Sequence, residues 1–169
     1  MNNPSTPQSP MAPQEIERVF LIKSLPLNLD QYPCEQIRQG YLSLDINHEI
    51  RIRQKNNLYS YTEKLGHGLA RTEIEKEITP EEFASQWPQT AGRQVTKTRH
   101  KIPYQDNLIE LDIYSGSLLG SIRAEVEFPS LEMAKNFITP DWFGREVTDE
   151  PHYRIGYLLT HGLPKESQS

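Results

Sequence analysis

From residue 15 onward the chain repeats one short rhythm, an apolar residue followed by a polar one. The alternation runs through residues 15–24, 41–46, 49–55, 58–65, 71–78, 94–102, 108–114 and 121–128. A period of two is that of a strand whose faces meet different surroundings, so eight strands are expected. Lys55-Asn56-Asn57 and Gln105-Asp106-Asn107 stand between neighbouring runs as hairpin tips, which makes the strands they join antiparallel. Helices are fewer. Thr79-Pro80-Glu81-Glu82 combines a capping hydroxyl, a proline in the first turn and acids at the positive end of the dipole. It leads to Phe83 and Trp87, four apart on one face. Ser130 caps a second helix whose apolar stripe would be Leu131, Ala134, Phe137 and Ile138. Shorter helices are expected near 34–39 and 152–161, the second either plugging or bordering one mouth of a closed sheet or simply packing on its outside. Trp87 and Trp142 are expected to pack helices onto strands. The sum is a mainly β (α+β) fold, an eight-stranded antiparallel closed barrel or tunnel with a few peripheral helices.

Length and composition add bounds. The 169 residues suffice for one domain with a sizeable core. Residues 1–13, rich in Pro, Ser, Asn and Gln, are expected to be a disordered leader, 14–163 a single domain and 164–169 a frayed tail. The net charge of -5 argues against broad nucleic-acid binding. No apolar run approaches the ~20 residues of a membrane helix, and the first residues lack the basic and apolar regions of a signal peptide. Cys34 is the single cysteine, expected to be a half-buried structural thiol in a reducing cytoplasm. The five histidines have no ligand spacing, which argues against zinc.

The charges carry the chemistry. Residues two apart on a strand share a face, and here they share sign. Glu15 pairs with Glu17, Arg51 with Arg53, Glu73 with Glu75 (after Arg71), Lys97 with Arg99, Glu110 with Asp112, and Glu125 with Glu127 (after Arg123). Lys64 stands by itself on its strand. Like charges about 7 Å apart repel unless something of opposite sign balances them. One arrangement is a wet charged face on an ordinary sheet. The other closes the strands with the charges inward and the apolar positions outward under the helices. The interior is then a polar tunnel with a basic wall suited to phosphate oxygens and an acidic wall suited to hard divalent cations.

These segments also resemble a family. "EIER" (15–18) resembles an amino-terminal Glu-x-Glu-x-Lys signature. "QGYL", "EIRIR", "YTEKLG", "GLARTEIE", "VTKTR", "IELDIYSG", "AEVEF" and "WFGREVTDEPHY" follow in family order. The chain is similar to members of the CYTH superfamily, the triphosphate tunnel metalloenzymes, in the bacterial inorganic-triphosphatase-like branch, from Glu15 to about Tyr157. The resemblance implies a metal-dependent triphosphatase acting on inorganic tripolyphosphate, with Mg²⁺ or Mn²⁺ as cofactor and a small triphosphate as partner, the chain being a monomer or a homodimer. It implies metal-facing carboxylates at Glu15, Glu17, Glu125 and Glu127. Phosphate-gripping cations would be Arg51, Arg53, Lys64, Lys97 and Arg99. Glu73, Glu75, Glu110 and Asp112 would hold those cations or position a water or a second metal, and Lys64, Tyr41 and Lys97 would assist the attack. Tyr41 could equally be a core aromatic with its hydroxyl satisfied.

One position departs. The fifth residue of the signature is Val19, which offers phosphate nothing, and Lys23 lies about 13 Å further along the strand. Two other readings therefore stay open: a weakened tunnel that binds polyphosphate or nucleotide without turnover, and an adenylyl cyclase or thiamine triphosphatase on the same fold.

Overall fold

The computed structural model describes residues 14–165; the expected leader, and the tail from residue 166, lie outside the described residues. Nine strands form one antiparallel sheet: β1 (Gln14–Ile22), β2 (Cys34–Asp45), β3 (His48–Lys55), β4 (Leu58–Leu65), β5 (Ala70–Glu77), β6 (Gln94–Tyr104), β7 (Asn107–Ser115), β8 (Ile122–Glu127) and β9 (Phe143–Glu146). Their order is β5-β4-β3-β2-β6-β7-β8-β1-β9, and β1 also pairs with β5. That last pairing, Gln14 with Thr72 through Ile16 with Ala70, closes the first eight strands into a barrel. The expected fold class holds. Two-residue turns make the β3–β4 and β6–β7 hairpins, with Asn56 and Gln105 at positive φ.

One edge of β1 is shared. Its first residues pair with β5, and Phe20 and Ile22 pair with β9. Between them, Val147 N donates to the Val19 carbonyl at 2.8 Å, and Val19 N donates to Thr148 Oγ1 at 3.0 Å. The segment after β9 thus seals the gap where β1 leaves β5.

Two apolar cores lie on the outside of the barrel, and a third lies on its inner face at one end. One gathers Phe20, Ile109, Leu111, Ala124 and Val126 under Phe137 and β9, with Phe20 and Phe143 rings 4.8 Å apart. A second sets Ile52 and Ile78 against Phe83 of helix α1 (Pro80–Gln86). The third joins Tyr41, Val95 and Tyr114 to Leu158 of α3 (Ile155–His161). Thr79 caps α1 with a full capping box, accepting from Glu82 N while Glu82 Oε2 accepts from Thr79 N.

Several expectations need correction. Residues 34–39 are not a helix but the first half of β2, paired on both sides with β3 and β6, because two neighbouring ladders outweigh local helical pattern. Helix α2 (Leu131–Asn136) ends before its stripe is complete. Phe137 turns extended to reach the core, and Leu131 and Ile138 stay exposed. The strand β9 has no counterpart in the expected set. Trp142 packs edge-on against Phe143 from a loop, not a helix, whereas Trp87 stacks on Phe83 beside α1 as expected. Residues Pro151–Tyr153 are a short 3₁₀ turn, so α3 begins later than 152. Cys34 is exposed, not half-buried.

Candidate active site

Because the apolar residues of each strand turn outward, the alternate positions turn inward and enclose a cavity of about 300 Å³. Of the sequence-predicted site residues, Glu15, Glu17, Tyr41, Arg51, Arg53, Lys64, Glu73, Glu75, Lys97, Arg99, Glu110, Glu125 and Glu127 all line it. Asp112 does not. It is wholly buried behind the lining, where it orders two of the cations. Lys97 Nζ donates to Asp112 Oδ2 at 2.6 Å, and Arg99 donates through Nε and Nη2 at 2.8 and 2.9 Å. Arg99 also donates to Glu110 at 2.8 Å and to Glu125 at 3.2 Å.

The facing wall is built the same way. Lys64 Nζ donates to Glu15 at 2.8 Å and lies 3.6 Å from Glu73. Arg71 bridges Glu15 at 3.8 Å and Glu49 at 3.9 Å, and Arg51 lies 4.0 Å from Glu49. Arg53 donates twice to Gln39 Oε1, whose amide in turn donates to the Tyr41 hydroxyl at 2.6 Å. Both readings of Tyr41 therefore hold: it sits in a core cluster with its hydroxyl engaged, and it lines the tunnel. Tyr114 differs. Its hydroxyl is buried without a hydrogen-bond partner among the described residues, while Lys97 sits 5.5 Å from its ring.

Burial and crowding set the protonation states. Burial pushes Glu17 up to about 8, with Glu125 adding to the effect. Lys97 is pushed down to about 7 by burial and by Arg99 beside it. Arg53 falls to about 10 through burial, then Arg51 and Arg99. Burial raises the Tyr41 phenol, so at neutral pH it can donate a proton but not accept one. Glu125 stays ionised, because Arg123, Lys97 and Arg99 outweigh its burial.

Two carboxylates stand apart. Glu17 and Glu127 oppose each other across the β1–β8 ladder. Neither is in an ion pair among the described residues. Burial raises Glu127 too, with Glu15 second. Two carboxyls side by side, Glu17 half-buried and Glu127 exposed, gain from any cation placed between them, and their oxygens suit Mg²⁺ or Mn²⁺. No three or more His, Cys, Asp or Glu side chains are preassembled round one point among the described residues. Mg²⁺ commonly uses only one or two carboxylates, with water and substrate phosphates completing the shell, so the donors present fit such an ion.

The tunnel holds residues beyond the expected set. Gln39, Glu49, Arg71, Tyr114 and Arg123 line it, each at the inward parity of its strand. Parity alone could have found them, as it found their neighbours. Thr148, Tyr153 and Arg154 come from the irregular segment before α3, which carries no periodic signal, and Ile155 is the first residue of α3. That segment borders the tunnel, and Ile155 and Leu158 of α3 pack over its end against the inward-facing Tyr41, Val95 and Tyr114.

No family model matches the chain. An inorganic triphosphatase of Nitrosomonas europaea is 41% identical over 143 residues, spanning 83% of this chain and 93% of that protein. The chain belongs to the inorganic triphosphatase family. A second member, from Acetivibrio thermocellus, is 32% identical over 152 residues, 86% of this chain and 93% of that one. A crystal structure of an inorganic triphosphatase covers 86% of the chain and 93% of its own length at 38% identity, with a TM-score of 0.63. A Hippeastrum protein with a dominant triphosphatase activity shares the fold at 16% identity and a TM-score of 0.53, over 72% and 82% of the two chains. Family membership and tunnel geometry agree. The inward faces that a triphosphatase would need charged are charged here.

Proposed function

We propose that this chain hydrolyses inorganic tripolyphosphate to pyrophosphate and phosphate inside the tunnel, with Mg²⁺ or Mn²⁺ as cofactor, as a CYTH-superfamily enzyme. The observation that supports it most is the meeting, in one enclosed space, of Arg51, Arg53, Lys64, Lys97 and Arg99 with two carboxylates, Glu17 and Glu127, that lack a cation. Polyphosphate with a divalent ion complements both at once.

The cations would grip the phosphate oxygens, hold the chain in line and stabilise the charge that moves onto the bridging oxygen as its bond to phosphorus breaks. A divalent ion held by Glu17 and Glu127, with Glu15 and Glu125 beside them, would neutralise phosphate charge and lower the pKa of a bound water. Glu73 Oε2 is buried without a hydrogen-bond partner and can take the proton of the attacking water. Lys64 lies between Glu15 and Glu73, where it can follow the charge from one to the other. Tyr41, held neutral, donates to a phosphate oxygen. Asp112 positions Lys97 and Arg99.

The partner is a small triphosphate, with no nucleic acid and no membrane. No helix among the described residues is long and apolar enough to cross a bilayer, and the single cysteine suits a cytoplasmic location. The test is phosphate release from tripolyphosphate, ATP and thiamine triphosphate, each with Mg²⁺ or Mn²⁺. Tripolyphosphate should be preferred, EDTA should stop release, and Lys64→Ala should lose at least tenfold. Binding without release by the wild type would favour a non-catalytic tunnel, the reading that Val19 suggests.

A further inference from the structure

Arg123 is a tunnel cation to which neither the signature nor the paired-charge pattern assigns a role, and Val19 is a position where the signature asks for a cation and finds none. The two are neighbours. In the β1–β8 ladder Leu21 pairs with Arg123 and Val19 pairs with Glu125. Val19 and Arg123 are therefore diagonal partners on the inner face, about 7–8 Å apart. Both line the cavity.

The guanidinium is held between Glu125 and the backbone of Tyr153. Arg123 Nε and Nη2 donate to Glu125 Oε1 at 3.2 and 2.8 Å, and Glu125 is the residue across from Val19. Nη1 donates to the Tyr153 carbonyl at 2.9 Å, which fixes the other end of the fork. Those bonds use three of the five guanidinium N–H groups, leaving one on each Nη for a ligand. The side chain is only 11% exposed. Burial alone would lower its basicity, but Tyr114 and Glu125 more than offset that, so it stays charged.

We propose that Arg123 supplies from β8 the phosphate-binding charge that the signature lysine would supply from β1, so that in this chain the cation has moved one strand rather than been lost. The inference rests on the tunnel being a tripolyphosphate site. It assigns to Arg123 a polyphosphate oxygen near the β1–β8 seam, gripped by the two remaining N–H groups. Val19 then follows as a consequence. A lysine there would crowd a second cation against the first, and like charges on adjacent positions destabilise one another.

The test compares Arg123→Gln, Val19→Lys and the double variant with the wild type. Glutamine keeps a donor for the Tyr153 carbonyl and removes the charge; Arg123→Leu serves in its place should Arg123→Gln fail to fold. The readout is kcat/KM for tripolyphosphate with Mg²⁺. Arg123→Gln should lose about ten- to hundredfold, the scale of one charge-assisted hydrogen bond. Val19→Lys alone should bring no gain, and in the double variant it should recover most of the loss. A merely structural Arg123 would show no such rescue. If the wild type binds tripolyphosphate but does not cleave it, the hydrolytic reading fails by itself. Mg²⁺-tripolyphosphate is then an intact ligand, and calorimetry of the same proteins should give the same order in Kd. The proposal is overturned by an Arg123→Gln variant equal to the wild type, by a double variant no better than Arg123→Gln, or by a wild type that neither binds nor cleaves tripolyphosphate.

Discussion

Asp112 shows how much of this site depends on a residue that never meets the ligand. Fully buried, it offers its two oxygens to Lys97 and Arg99 at once. Burial would raise it, but those two cations hold it ionised. Removing one partner from a buried ion pair typically costs about 3–5 kcal/mol, because the charge left behind is uncompensated. Asp112→Asn should sit at the lower end, near ~3 kcal/mol, since Lys97 is already pushed down to about 7 and can shed its proton. Urea unfolding measures that loss. Tripolyphosphate should raise the melting temperature of the variant more than that of the wild type, because the anion supplies the missing negative charge. An equal rise in both would show that the two cations do not face the ligand. At this scale the sequence was informative through parity: the like-charged pairs all face inward, and Arg71 and Arg123 lie on the same parity as their neighbours. It was silent on partners. Nothing in "IELDIYSG" says that Asp112 is the one of its pair that lies covered beneath two cations.

Among the elements, β2 is where local pattern misled. Its first half, expected as a short helix over 34–39, is extended, with Ile37 and Gln39 in ladders with β3 and β6. A strand flanked on both sides takes its conformation from its neighbours, which no single window contains. β9 escaped for the same reason: four residues form a strand only because β1 offers them an edge. Gly40 carries a different constraint. A Cβ there would lie 2.4 Å from Thr90 Oγ1 and 2.6 Å from Thr90 Cβ. Thr90 is itself held, donating to the Trp87 carbonyl at 2.6 Å and accepting from Gln94 at 3.0 Å. The glycine of "QGYL" thus lets the turn after α1 close onto the barrel. Gly40→Ala should cost about 1–3 kcal/mol, the usual scale of overpacking, read as a lower urea midpoint. An unchanged midpoint would mean that the turn can retreat from β2.

For the whole molecule, the charges of the tunnel nearly cancel. Nine lysine and arginine side chains line it against eight glutamates, and Asp112 stands behind them. Such a lumen has many hands for an anion but little net field to draw one in, so a bare polyphosphate should bind it poorly. The same anion already carrying divalent ions brings its own neutrality and can satisfy both walls. At pH 8.5, therefore, initial rates at fixed tripolyphosphate should follow the concentration of its metal complex, and an excess of free tripolyphosphate should inhibit weakly. Acid should change this in a defined direction. As pH falls from 8.5, Glu17 near 8 and then Lys97 near 7 each gain a proton, and the tunnel becomes more positive by both. Free tripolyphosphate should then inhibit more strongly at pH 6 than at pH 8.5. Lys97→Arg, charged at both pH values, should be inhibited more strongly than the wild type at pH 8.5 and should keep only the smaller pH dependence that Glu17 contributes. Strong inhibition of the wild type already at pH 8.5 would mean that the acidic wall is neutralised before any metal arrives, and that the barrel attracts the anion by itself.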